Sequence, residues 1–189
     1  MNNLNHFCED IPNFPINKYL QLGTDNGKRI LILGEAPAPN GWRLSGRAFY
    51  TPQGKLLPTG KNLNLLLEQH SLSVEKCSFT ELVKCYVGKD RHLLSACAKK
   101  CWPILLKQIE ANNFDVLIIL GVKTLELFNK LASLDIQIGQ IEEISLNSKN
   151  YKVLALYHPS PISPTGHKNN MKIFEANAQK LAEILRQNY

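Results

Sequence analysis

A chain of 189 residues with 44% apolar side chains has the size and composition of one domain around one core, which sets disorder and multidomain organisation aside. Its 22 Lys and Arg against 16 Asp and Glu leave a net charge of +6, scattered without a basic run, so the balance favours a polyanionic partner and excludes a disordered basic tail as its source. Residues 1–17 hold no apolar segment behind basic residues, and the longest apolar stretch, 116–122, is far too short for a bilayer, so a cytoplasmic protein with no membrane contact is expected.

Residues 29–33 are a short apolar run closed by Gly34, the pattern of a buried parallel strand that stops at a functional loop. The Pro- and Gly-rich stretch 35–60 has no period, and loops of that length in small domains usually carry function. Residues 61–70 are predicted helical, with Leu63, Leu66, Leu67 and His70 on one face, and 79–84 form a second strand. A helix is predicted over 102–112, started by Pro103, whose missing amide hydrogen costs nothing in a first turn. Residues 115–120 give a third strand closed by Gly121, and 124–132 the next helix. Strands are expected at 141–146 and 151–157 around a turn at 148–150, followed by a terminal helix over 172–187.

This alternation implies a three-layer α/β/α sandwich with a central, mostly parallel sheet, a single domain spanning 1–189 on which 1–27 packs as an N-terminal extension. Ligands gather at the carboxyl ends of such strands, so Gly34-Glu35, Lys84-Cys85 and Tyr157-His158 are expected to meet in one cleft. Five cysteines, an odd number, point to reduced thiols or a metal site rather than a disulfide frame.

Four motifs stand in order on these elements: Gly34-Glu35-Ala36-Pro37, Gly46-Arg47-Ala48-Phe49, Thr80-Glu81-Leu82-Val83-Lys84-Cys85 and His158-Pro159-Ser160-Pro161-Ile162-Ser163. Together they resemble the uracil-DNA glycosylase superfamily, especially its branch with a four-iron, four-sulfur cluster, over residues 29–185. The chemistry of that family wants these residue types. Breaking an N-glycosidic bond leaves positive charge on the sugar and negative charge on the departing base, so a site needs a carboxylate near one and donors near the other. The resemblance implies that Glu35 stabilises the sugar cation or orients the attacking water, that His158 donates to the base oxygen, and that the Ala36 amide adds a second donor. It implies that Phe49 stacks on an extruded base, that Ile162 fills the gap left in the duplex, and that Pro159 and Ser160 belong to a DNA-contacting turn, with Ser160 on a phosphate.

The implied activity is a monofunctional DNA glycosylase of base excision repair, a monomer using water to release uracil or another deaminated or damaged base from duplex or single-stranded DNA. Lys84 is the one motif lysine near enough to suggest Schiff-base lyase chemistry instead. A non-catalytic nucleic-acid binding module on the same fold is the alternative.

Two positions depart from the family pattern. Glu81 stands where the family has a uracil-reading asparagine; an amide both accepts and donates, whereas an ionised carboxylate only accepts. Unless protonated, Glu81 suits a base edge with two adjacent donors, such as that of guanine or an altered purine. The cluster pattern is also incomplete. Cys85 and Cys101 keep the family's later spacing, but the N-terminal Cys pair is reduced to Cys8. The resemblance therefore implies a structural 4Fe-4S cluster on Cys8, Cys85, Cys101 and, one helical turn before the last, Cys97; the alternative is a set of buried thiols. Cys77 lies ~25 Å from Cys85 along an extended strand, too far to share the cluster.

Overall fold

Every residue of Ile30–Gly34 and Val116–Leu120 is buried, as befits strands covered on both faces. They are β2 and β4 of a six-stranded sheet in a computed structural model that describes residues 17–38 and 41–186. The other strands are β1 (Leu20–Gln21), β3 (Ser78–Glu81), β5 (Ile141–Leu146) and β6 (Lys149–Leu156), in the order β1-β3-β2-β4-β6-β5. The inner four run parallel, and β1 and β5 are antiparallel edges.

Successive side chains of the inner strands point to opposite faces, and each face carries its own core. Leu31, Leu33, Leu117, Ile119, Val153 and Ala155 pack with helices α3 (Leu94–Glu110) and α4 (Val122–Ala132). Ile30, Ile32, Val116, Ile118, Leu154 and Leu156 pack with α1 (Trp42–Ser45), α2 (Pro58–Leu67), α5 (Pro164–Ala176) and α6 (Ala178–Arg186). The three-layer α/β/α arrangement expected from the alternation is thus present. Burying each such aliphatic side chain contributes about 1.5–3 kcal/mol, so the strand ends that carry the site sit on the most firmly held part of the molecule.

Several element boundaries differ from expectation. The third helix begins at Leu94, and Pro103 lies inside it rather than at its start. A mid-helix proline forfeits a hydrogen bond and costs about 3 kcal/mol, but Pro103 faces solvent while Leu94, Cys97, Ala98, Cys101, Ile104, Leu105, Gln108 and Ile109 bury a continuous opposite face that outweighs it. Strand β3 ends at Glu81 instead of Lys84, and the amides of Leu82 and Val83 donate to the carbonyls of Gly34 and Glu35 as β2 gives way to its loop.

The terminal helix is broken into two at Asn177. Its Nδ2 donates to the carbonyls of Ile173 and Gly139, local bonds that compete with a continuous helix. The β5–β6 turn is Asn147-Ser148, both in the left-handed region, the geometry that a two-residue hairpin needs, rather than 148–150. Strand β1 lies in the segment expected only to pack as an extension. No helix among the described residues is long and apolar enough to cross a membrane.

Candidate active site

From β2 the chain passes to β3 on one side, while β4 pairs with β2 on the other, so the order of the sheet reverses between β2 and β4. A crevice opens at the carboxyl ends of the strands beside such a switch point. Here it is a cleft of about 730 Å³ whose walls include Glu35, Ala36, Phe49, Glu81 and His158, gathering all five residues expected to catalyse or to hold a base.

Glu35 is the first residue beyond β2. Both of its oxygens are held by one guanidinium, Arg91 Nη1 at 2.6 Å from Oε1 and Nη2 donating to Oε2 at 2.8 Å. This two-pronged geometry fixes the plane of the carboxylate as well as its position. The hydrogen bond to Glu35 raises the Arg91 pKa above its ordinary value. Arg91 opens the short 3-10 turn before α3 and is itself exposed.

His158 follows β6 and packs on Gly121, where φ is +97° and an added Cβ would lie 3.4 Å from the His158 Cβ. One side of His158 is open to solvent, yet desolvation by the cleft lowers its pKa, with the charge of Glu35 pulling the other way. The ring is therefore neutral at pH 7, and it senses Glu35 across the cleft. The Ala36 amide donates to no other group among the described residues, leaving it available to a ligand.

Phe49 serves two purposes. It is buried against Phe79, ring centroids 4.5 Å apart at 62°, and it also lines the cleft. Its φ of +63° is a conformation that a bulky residue rarely adopts. Gly60 lets α2 approach, since a Cβ there would lie 2.9 Å from that of Phe49.

Glu81 is paired in register with Gly34, and its carboxyl occupies the space that any side chain at Gly34 would need. It is buried on the cleft wall. Among the described residues no hydrogen bond or ion pair reaches the carboxyl, because the neighbouring Lys84 ammonium turns to the Glu81 backbone carbonyl instead. Burial pushes the Glu81 pKa up to about 8; Lys84 opposes the rise and Glu35 adds to it. At pH 7 the side chain is a carboxylic acid.

Lys84 and Cys85 do not join the cleft, contrary to expectation. Lys84 is fully buried, and its Nζ donates to Thr80 Oγ1 at 2.6 Å, the Glu81 carbonyl at 2.5 Å and Gln108 Oε1 at 2.7 Å. Every N–H of the ammonium is thereby taken, and it cannot reach a sugar for Schiff-base chemistry. In its place Tyr86, Val87, Gly88, Lys89 and Arg91 line the cleft.

The turn after His158 continues the chain from the cleft wall. The Pro159 carbonyl accepts from Asn62 Nδ2 at 2.9 Å, Ser160 Oγ accepts from the Ile162 amide, and the Ile162 side chain is 92% exposed. So exposed an aliphatic side chain gains almost nothing from burial in the free protein.

Cys85, Cys97 and Cys101 are buried in one core on the α3 side, with the Lys84 amide donating to Cys101 Sγ at 3.3 Å, whereas Cys77 belongs to the opposite core. Cys8 lies outside the described residues. Among the described residues no three His, Cys, Asp or Glu side chains gather closely enough to hold a metal ion.

Sequence reasoning missed Arg91 and the Gly121–Thr124 wall. Gly121 carried a usable signal, for it closes its strand as Gly34 closes β2; Arg91 sits in a segment with no motif. Lys89, Arg91 and Lys123 give the cleft a basic lining suited to a phosphate backbone.

Residues 20–182 match the uracil DNA glycosylase superfamily. The chain is 30% identical over 184 residues to the type-4 uracil-DNA glycosylase of Saccharolobus solfataricus, covering 94% of this chain and 82% of that protein. It is 29% identical over 146 residues to the type-4 uracil-DNA glycosylase of Archaeoglobus fulgidus, covering 74% and 70%.

Proposed function

This chain belongs to the uracil DNA glycosylase superfamily, and from that premise we propose that it is a monofunctional uracil-DNA glycosylase that hydrolyses the bond between base and deoxyribose in DNA repair. The observation that carries this reading is the presence of Glu35 and His158 in one cleft, with Phe49 in its wall and a basic lining. A base inside a duplex is out of reach, so the nucleotide is rotated into the cleft and the Phe49 ring stacks against it. The exposed Ile162 fills the vacated stack, while Ser160 and the turn begun by Pro159 meet the phosphates.

As the glycosidic bond lengthens, the Glu35 carboxylate stabilises the cationic sugar and orients the attacking water. Neutral His158 and the Ala36 amide donate to the oxygen of the departing base. With Lys84 buried and fully bonded, the motif lysine does not compete with water, and the reaction ends at an abasic site.

The thiol set suits a structural iron-sulfur cluster in donor chemistry: Cys97 and Cys101 lie one turn apart on α3, and Cys85 shares their core. Cys8 would complete four ligands. Such a cluster would pin the segment between β3 and α3, which carries Arg91 to Glu35; hydrolysis needs no electron from it. Iron and acid-labile sulfide in anaerobically purified protein, lost on Cys101→Ser, are the expected result. Iron-free folded protein would dismiss the cluster.

The activity is tested with single-stranded oligonucleotides carrying uracil, hypoxanthine, xanthine or a control base, followed by alkaline cleavage. Uracil release that disappears in Glu35→Ala while DNA binding persists is expected. Tight binding without release by the unaltered chain would overturn the reading.

A further inference from the structure

Glu81 is a buried acidic side chain on the wall of the cleft, in contrast to the paired charges beside it. Glu35 is held by Arg91, and Lys84 by three oxygens, but the Glu81 carboxyl meets no donor among the described residues. Gly34 leaves it room, the Phe79 ring stands beside it, and the little surface it keeps faces the cleft. An unpartnered polar group in such a place costs free energy unless a ligand satisfies it.

The edge of uracil that is free once the base leaves its pair presents one donor, N3–H, beside one acceptor, O4. A carboxylic acid presents the complement, a carbonyl oxygen that accepts and a hydroxyl that donates. A carboxylate cannot, because its second oxygen would face O4 with no proton between them. We infer that Glu81 reads uracil in its carboxylic-acid form, accepting from N3–H at one oxygen and donating to O4 from the other, so that base recognition is gated by a single proton. This rests on the glycosylase reading above and names the residue that sets its specificity.

The groups facing Glu81 are few, and none ties up that proton. Lys84 lies just beyond the end of the same strand, Glu35 comes from the loop after β2 with Arg91 behind it, and Tyr19 comes from beside β1. On α1, Arg43 acts on Tyr19 and lies 4.4 Å from the Tyr86 ring. Among the cleft's other residues, Tyr86, Lys89, Lys123 and His158 are titratable. Burial is the dominant influence on Glu81, with Lys84 opposing it and Glu35 reinforcing it, and together they leave the acid form in place to about pH 8.

The test is the pH profile of single-turnover uracil release from single-stranded DNA, for the unaltered chain and for Glu81→Gln, which has a fixed donor and acceptor at the same length. The unaltered chain is expected to lose activity as pH rises past about 8, approaching about tenfold per pH unit, while E81Q stays level there. Glu81→Asn, a shorter amide, serves as the second variant, and Glu81→Leu, which keeps burial without hydrogen bonding, is expected to release uracil poorly at every pH. Parallel decline in the chain and both amide variants would overturn the inference, because another group would then be titrating. So would release of a two-donor base such as guanine that increases with pH. If the unaltered chain and the variants all release no uracil at any pH, the glycosylase reading itself fails.

Discussion

Two acidic side chains, Glu35 at the exit of β2 and Glu81 at the end of β3, share one cleft and occupy opposite surroundings. Glu35 is half-buried and clamped at both oxygens by a guanidinium, the arrangement that holds a charge in place. Glu81 is buried with no cation on its carboxyl, the arrangement that expels a charge. The same functional group can thus face a developing sugar cation in one position and hydrogen-bond a neutral base in the other. Environment, not residue type, divides the labour, as in other sites where paired carboxylates are driven to different protonation states.

Removing the charge that is used is expected to have the largest effect. Glu35→Ala should slow uracil release by about 10³-fold, on the scale of a lost preorganised electrostatic contact. The loss should appear in single-turnover rate with little change in DNA affinity. A fall in affinity alone would recast Glu35 as a binding residue.

The other carboxyl sharpens the contrast through stability. Above its ordinary pKa of 4.5 the unfolded chain has released the Glu81 proton, while the folded chain keeps it to about 8. Folding therefore takes up a proton in that window, and stability relative to Glu81→Gln falls as pH rises from about 4.5 to about 8, then levels. The difference should reach a few kcal/mol, since a tenfold difference in proton affinity between the folded and unfolded chains is worth about 1.4 kcal/mol. Denaturant titrations of both proteins across that range measure it. A constant gap would mean that Glu81 ionises normally and that the two carboxyls do not differ.

How much of this is legible in the sequence depends on the range of the interactions involved. The inner strands β2 and β4 announce themselves as continuous apolar runs, so the rule that strand ends meet brings Glu35 and His158 to one cleft, while Phe49 and Glu81 are placed beside them only by the motif resemblance. The features that sequence misjudges depend on tertiary context. Pro103 is tolerated inside α3 because of what the opposite face buries, and Asn177 ends α5 partly by bonding to the carbonyl of Gly139, distant in sequence. Lys84 borders a motif, which points it toward the cleft, but an early end to β3 and the acceptors on Thr80 and Gln108 draw it into the core. Sequence poses the protonation of Glu81 only as a condition, because burial is a property of the assembled fold.

Arg91 is the feature that no motif announced, and it carries the smallest and most specific effect. If its role is to orient Glu35, then charge alone is not enough. Lysine at this position would keep the positive charge but could not hold both carboxylate oxygens in one plane. Arg91→Lys should therefore lower the single-turnover rate roughly tenfold, since small misplacements of a reacting group are costly. Because Arg91 is exposed, the folded state should be nearly unaffected, as surface ion pairs contribute about 0–1 kcal/mol. A purely electrostatic contribution would survive the exchange to lysine and weaken with salt; a positioning contribution would be lost in R91K at every ionic strength. Rates for both proteins between low and high salt separate the two, and an R91K rate equal to that of the unaltered chain throughout would leave Glu35 oriented by the β2 exit alone.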